Sequence, residues 1–157
     1  MYKIVNYIHN KSMKIKDIMS KNVISCDVNS EVTELARIMK ENNVGFVIIT
    51  KEDKIIGVIT DRDIVVRILA NKDNKIDGYY TKNFVTIDED EDYNKALVLM
   101  RKHKIKRLLI TNKNGVSGVI SISDIMTKTN VYDTIQTIWS LETNTKEGNV
   151  KVDDFKL

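Results

Sequence analysis

The residues of this chain best suited to chemistry lie in two seven-residue stretches, Gly57-Val58-Ile59-Thr60-Asp61-Arg62-Asp63 and Gly118-Val119-Ile120-Ser121-Ile122-Ser123-Asp124. Each closes an apolar, strand-like run with a hydroxyl and sets a carboxylate three residues later, the pattern of a strand that turns directly into a helix. A hydroxyl at a strand end and a carboxylate in the first helical turn stand beside free backbone N–H groups, where the helix dipole favours an anion. The same side chains also fit a plainer role, since a cap at a helix N-terminus contributes about 1 kcal/mol. Gly57 and Gly118, in the plain reading, end a hairpin turn.

Little else points to catalysis. The single Cys26 has no disulfide partner and reads as a small buried apolar group, and His9 and His103 are too far apart to suggest a zinc site. His103 reads as an exposed helix-end residue. No nucleophile has a nearby base, and no Gly-rich loop of the phosphate- or dinucleotide-binding kind is present, so binding is expected rather than an enzyme. The net charge of +3, with both signs interspersed, is too weak a field to argue for nucleic acid. Apolar segments are short and broken by Lys, Asp or Asn, so no membrane span is expected, and the N-terminal residues lack a signal-peptide pattern. The chain therefore reads as cytoplasmic.

The elements that must position the motifs come from an internal repeat. Shifting the sequence by 61 positions aligns residues 15–64 with 76–125 without a gap, with about a dozen of the fifty positions identical and the apolar pattern kept almost throughout. Each copy predicts a short strand (residues 23–25 or 84–86), then a helix with apolar positions at Val32, Leu35, Ala36 and Met39 or at Tyr93, Ala96, Leu97 and Met100. A β-hairpin follows, pairing residues 46–49 with 55–60 or 108–110 with 116–121, and a last helix begins near Asp61 or Ile122. In the first copy Ile64, Val65, Ile68 and Leu69 form the apolar stripe of that helix. The fold class is α/β (α+β): tandem β-α-β-β-α repeats related by an approximate two-fold, because one such unit cannot bury its sheet alone. A symmetric interface leaves two equivalent clefts, and clefts between domains are common ligand sites.

Both motifs match Gly, hydrophobic, any, Thr or Ser, any, any, Asp, and with two copies at equal spacing the chain resembles the cystathionine-beta-synthase (CBS) domain family over about residues 14–126. The run Thr60 to Arg67 is most similar to stand-alone bacterial proteins that hold one CBS pair. The resemblance implies that Asp63 and Asp124 hold ribose, with Thr60 and Ser121 bonding ribose or the α-phosphate and Arg62 and Ser123 alongside. Backbone near Val58-Ile59 and Val119-Ile120, with Val85 and Ile24 from the opposite repeat, is expected to form the slot for adenine. By resemblance, Lys106 and Arg107 serve the phosphates of the Asp63 cleft. The reciprocal place holds Gly45-Phe46, so the Asp124 cleft is expected to lack that basic pair and to rely on Lys106 at its rim and on Arg62; the Asp63 cleft is expected to bind phosphates better, and the Asp124 cleft to be weaker, to prefer a less charged ligand, or to stay empty.

The implied function is regulatory: binding AMP, ADP, ATP or a related adenosine ligand without catalysis and without an obligatory cofactor. A homodimer and an unidentified target protein are the expected partners. The alternative is a ligand-free structural, dimerisation or protein-interaction module. The organisation is read as an N-terminal arm (1–13), repeat one (14–70), repeat two (71–126), an amphipathic C-terminal helix (127–142) with Val131, Ile135, Ile138 and Trp139 on one face, and a polar tail (143–157).

Overall fold

A computed structural model describes residues 13–129 and Ile135. The arm, the polar tail and nearly all of the C-terminal amphipathic segment lie outside the described residues.

Element order repeats as the internal alignment requires. Helix α1 (Ile15–Ile18) leads to strand β1 (Ser25–Asp27), helix α2 (Val32–Asn42), and the hairpin β2 (Phe46–Lys51) and β3 (Lys54–Thr60). A helical segment α3 (Asp61–Asp63) continues as a π-helical turn (Ile64–Ile68) and a 3-10 turn (Leu69–Asn71). The second copy has β4 (Thr86–Asp88), α4 (Tyr93–His103), β5 (Arg107–Asn112), β6 (Gly115–Ser121) and α5 (Ile122–Lys128). Two three-stranded sheets result, β1-β2-β3 and β4-β5-β6, each with one parallel and one antiparallel pairing.

The first strand of each copy begins two residues later than the apolar runs suggest, at Ser25 and Thr86. Each of these strands has one inward side chain, Cys26 or Ile87, so the preceding apolar residues Ile24 and Val85 are left half-buried beside the sheet. Burial pushes the Cys26 thiol pKa up. The stripe expected on the last helix of the first copy is also corrected. Ile64 and Ile68 are buried, but Val65 and Leu69 are 61% and 52% exposed, because the wider π turn rotates them off the inward face.

Chain order and core membership do not coincide. Ile15, Ile18 and Met19 join the core of the second sheet with Ile87, Tyr93, Leu97, Leu108 and Ile120. Ile76, with Tyr79 and Tyr80 packed alongside, joins the core of the first sheet. Backbone bonds seal this exchange. Ser20 and Val119 exchange N–H···O bonds at 2.9 Å, and Thr81 and Val58 do the same at 2.8 and 3.0 Å. The first N–H of each long helix is met by a crossing carbonyl, Val32 by Asn74 at 2.8 Å and Tyr93 by Met13 at 3.1 Å.

This crossing explains the motif glycines. They do not end a turn; both lie within strands, where a Cβ on Gly118 would stand 2.7 Å from the Ser20 carbonyl and one on Gly57 would stand 2.7 Å from the Thr81 carbonyl. Lys14 and Lys16 bind the crossing segment to Asp90 through ion pairs at 3.0 and 2.8 Å. Their hydrogen bonds, that of Lys16 first, hold the Asp90 carboxyl down at about 2.

Candidate functional site

Strand β6 runs into α5 without a loop, so Ser121 is at once the last strand residue and the helix cap. The Asp124 N–H donates to the Ser121 hydroxyl at 3.2 Å, and Asp124 Oδ2 accepts from the Ser121 N–H at 2.8 Å and from the Ser121 hydroxyl. The Ser121 and Ser123 hydroxyls are also in contact, 2.8 Å apart. Thr60 and Asp63 build the same capping box at the end of β3, with bonds of 3.3, 3.0 and 2.7 Å. The plain capping role is therefore present in both copies, and it fixes hydroxyl and carboxylate against each other.

Capping uses one carboxylate oxygen, and the other distinguishes the copies. Asp63 Oδ1 accepts from the Arg67 guanidinium at 3.1 Å. Among the described residues, nothing donates to Asp124 Oδ1.

A cleft of about 230 Å³ opens beside Asp124, with walls from both repeats. Arg107, Val119, Ser121 and Asp124 come from the second repeat; Ser20, Asn22 and Ile24, from the approach to β1, and residues 43–46 come from the first. Strand alternation produces this division of labour: Val119 and Ser121 share one face of β6, while Ile120 points the other way into the core. The same holds for Val58 and Thr60 against Ile59. Ile59 and Ile120 are fully buried, so only their backbone is available to a ligand. Ile48 and Leu109 lie on the cleft-side face and are buried there, so the second face of each sheet is covered as well.

Arg107, expected by resemblance to serve the Asp63 cleft, lines the Asp124 cleft, because it is the cross-strand partner of Ser121 and shares its face. Its guanidinium has no hydrogen bond or ion pair among the described residues. Phe46 pairs with Thr60 in the equivalent register and also lines the Asp124 cleft.

The remaining candidates are placed as follows. Thr60 and Asp63 are half-buried at the end of β3, and the Val85 carbonyl accepts from the Leu109 N–H at 3.3 Å. Lys106 is exposed, its carbonyl accepting from the Ile122 N–H at 3.1 Å. Arg62 and Ser123 are exposed and are not part of the cleft wall. The sequence does not single out Ser20, Asn22 or Asn43, and it marks Phe46 only as standing, with Gly45, in the place reciprocal to Lys106-Arg107. The 61-residue alignment sets Phe46 against Arg107 and is the signal that marks it.

The family model for the CBS domain matches residues 15–70 and 76–129. Protein YlbB of Bacillus subtilis (strain 168) is 34% identical over 117 residues, covering 71% of this chain and 79% of that protein. The inosine-5'-monophosphate dehydrogenase of Methanocaldococcus jannaschii is 30% identical over 115 residues, which is 72% of this chain but 23% of the enzyme. Among solved structures, the CBS domain pair of protein MJ0100 in complex with 5'-methylthioadenosine and S-adenosyl-L-methionine is similar with a TM-score of 0.67 and 30% identity, covering 73% of this chain and 94% of that one.

Proposed function

The chain belongs to the CBS domain family, carrying two copies in tandem, and from that premise we propose that it is a regulatory module that binds an adenosine ligand between its repeats and performs no catalysis. The carrying observation is the Asp124 cleft. A carboxylate oxygen and a guanidinium, both without a partner among the described residues, share one small cavity with apolar side chains contributed by the opposite repeat. Asp124 Oδ1 is suited to accept from ribose hydroxyls, Ile24 and Val119 to flank the base, and Ser121 and Arg107 to meet polar groups beyond the sugar. The adenosine compounds bound by the MJ0100 pair support this class of ligand. AMP, ADP and ATP are the finer candidates, with Asp63, Thr60, Val58, Val85 and Lys106 forming the second site.

The absence of a catalytic role is supported by the extent of the match to the dehydrogenase, which covers 23% of that enzyme. Among the described residues no group of His, Cys, Asp and Glu is placed to hold a metal ion, and no helix is long and apolar enough to cross a membrane. A cytoplasmic homodimer is the proposed state, its contact including the exposed Val65, Val66 and Leu69. A ligand that changes the repeats' tilt or the fit between two copies must bind one arrangement more tightly than the other.

Thermal unfolding with adenosine, 5'-methylthioadenosine, AMP, ADP and ATP tests the reading. A true ligand at a hundred times its Kd stabilises by about 2.7 kcal/mol, and Asp124→Ala removes the gain. No stabilisation by any compound, together with a dimer disrupted by Val65→Asp, favours the rival role of a ligand-free dimerisation module, for which the exposed apolar face is the supporting observation.

A further inference from the structure

The two motif corners are built alike and charged oppositely. The Asp61 N–H donates to the Gly45 carbonyl at 3.2 Å, and the Ile122 N–H donates to the Lys106 carbonyl at 3.1 Å. Where the second repeat has lysine and isoleucine, the first has glycine and aspartate. The Asp61 carboxylate sits over Gly45, with Oδ2 only 2.6 Å from the place a Cβ would take, so no side chain fits at position 45 while Asp61 holds this pose. The pose is supported from below, because Asp61 Oδ1 accepts from the Arg62 N–H at 2.8 Å.

Gly45 is part of the wall of the Asp124 cleft, which brings the Asp61 charge to its edge. That edge is the end away from the base. Val119, bonded to Ser20, marks one end of the cleft, and Ser121 with its cross-strand partner Arg107 lies two residues further along β6, roughly 7 Å on. A nucleoside with its ribose on Asp124 and its base against Ile24 and Val119 directs its 5' substituent toward Arg107, Gly45 and Asp61. Arg107 supplies one positive charge there, against Asp124 and Asp61. Of the charged side chains that line the cleft or sit over its wall, Asp124 and Asp61 are negative and Arg107 is positive, a balance that opposes a polyphosphate, and the cavity of about 230 Å³ is compact besides.

We infer that Asp61 is a specificity-determining residue of the Asp124 cleft, disfavouring polyphosphates and fitting the cleft to an adenosine derivative whose 5' group is uncharged or cationic. The inference rests on the adenosine reading of the cleft. It also implies that the clefts divide ligands by charge, since the corner equivalent to Gly45 and Asp61 carries Lys106 and Ile122.

The test is titration calorimetry of the full chain carrying Asp63→Ala, which silences the other cleft, with 5'-methylthioadenosine and ATP as probes. The parent binds methylthioadenosine more tightly than ATP, and adding Asp124→Ala abolishes that binding. Asp61→Asn, which keeps an acceptor for the Arg62 N–H, tightens ATP about three- to tenfold at low salt while methylthioadenosine stays within about twofold, and the ATP gain shrinks at about 0.5 M salt. An ATP-to-methylthioadenosine ratio unchanged by both Asp61→Asn and Asp61→Ile overturns the inference while leaving the adenosine site standing. So does tighter binding of ATP than of methylthioadenosine by the parent. Failure of the parent and of the unsubstituted chain to bind either probe removes the adenosine reading itself, and the inference with it.

Discussion

Gly118→Ala is the substitution that most directly probes how the two repeats hold each other. The added Cβ would stand 2.7 Å from the Ser20 carbonyl oxygen and 2.8 Å from Met19 Sδ, where ordinary contact begins near 3.4 Å. The methionine tail can rotate away, but the carbonyl belongs to backbone held by the reciprocal 2.9 Å bonds between Ser20 and Val119. The crossing segment must therefore withdraw, stretching both bonds and loosening Ile18 and Met19 in the second core. Overpacking costs about 1–3 kcal/mol, and weakening two hydrogen bonds adds about 1 kcal/mol in all. The expected loss is about 2–4 kcal/mol, a fall in Tm of about 5–15 °C for a chain of this size.

Urea unfolding should show a lower midpoint with an unchanged m-value, and amide exchange should accelerate at Ser20 and Val119 ahead of the strand centres. Gly115→Ala provides the contrast. Gly115 has φ of +117° with nothing within 4 Å of its Cβ position, so its substitution costs about 1 kcal/mol through the backbone alone and leaves Ser20 protected. If Gly118→Ala destabilises no more than Gly115→Ala and the Ser20 amide keeps its protection, the close-approach argument is wrong.

Ile15→Ala, at a side chain with no exposed surface, should cost about 2–5 kcal/mol, and the exchange rates it raises should be those of β6 and α5 in the second repeat, since Ile15 packs there. The folded-state pKa of Asp90, about 2 against an ordinary 3.8, means that the Lys14 and Lys16 ion pairs contribute above pH ~4 and are lost as pH falls toward 2. NMR titration should show the α1 resonances shifting in that window, and Asp90→Asn should abolish the shift at every pH. Ser117 has a buried hydroxyl without a partner among the described residues, so Ser117→Ala should leave urea stability unchanged or raise it by up to about 1 kcal/mol; a loss above that would mean the hydroxyl has a bound partner.

What the sequence determined by itself was the local grammar and its duplication. Apolar periodicity marked α2 and α4, the hydroxyl-to-carboxylate spacing marked both strand-to-helix corners, and the 61-residue shift made the two readings one. These are short-range consequences of helix and strand geometry, so a window of residues suffices. The tertiary structure decided which half each segment serves. Ile15 and Ile76 exchange cores because a three-stranded sheet needs a cover that its own helices do not complete, and the motif glycines follow from that crossing rather than from a turn. It also decided that Arg107 faces the Asp124 cleft, that Arg67 engages the spare oxygen of Asp63 while that of Asp124 has no donor among the described residues, and that a π turn carries Val65 and Leu69 to the surface. Each of these depends on register and on partners tens of residues away, distances over which periodicity carries no information.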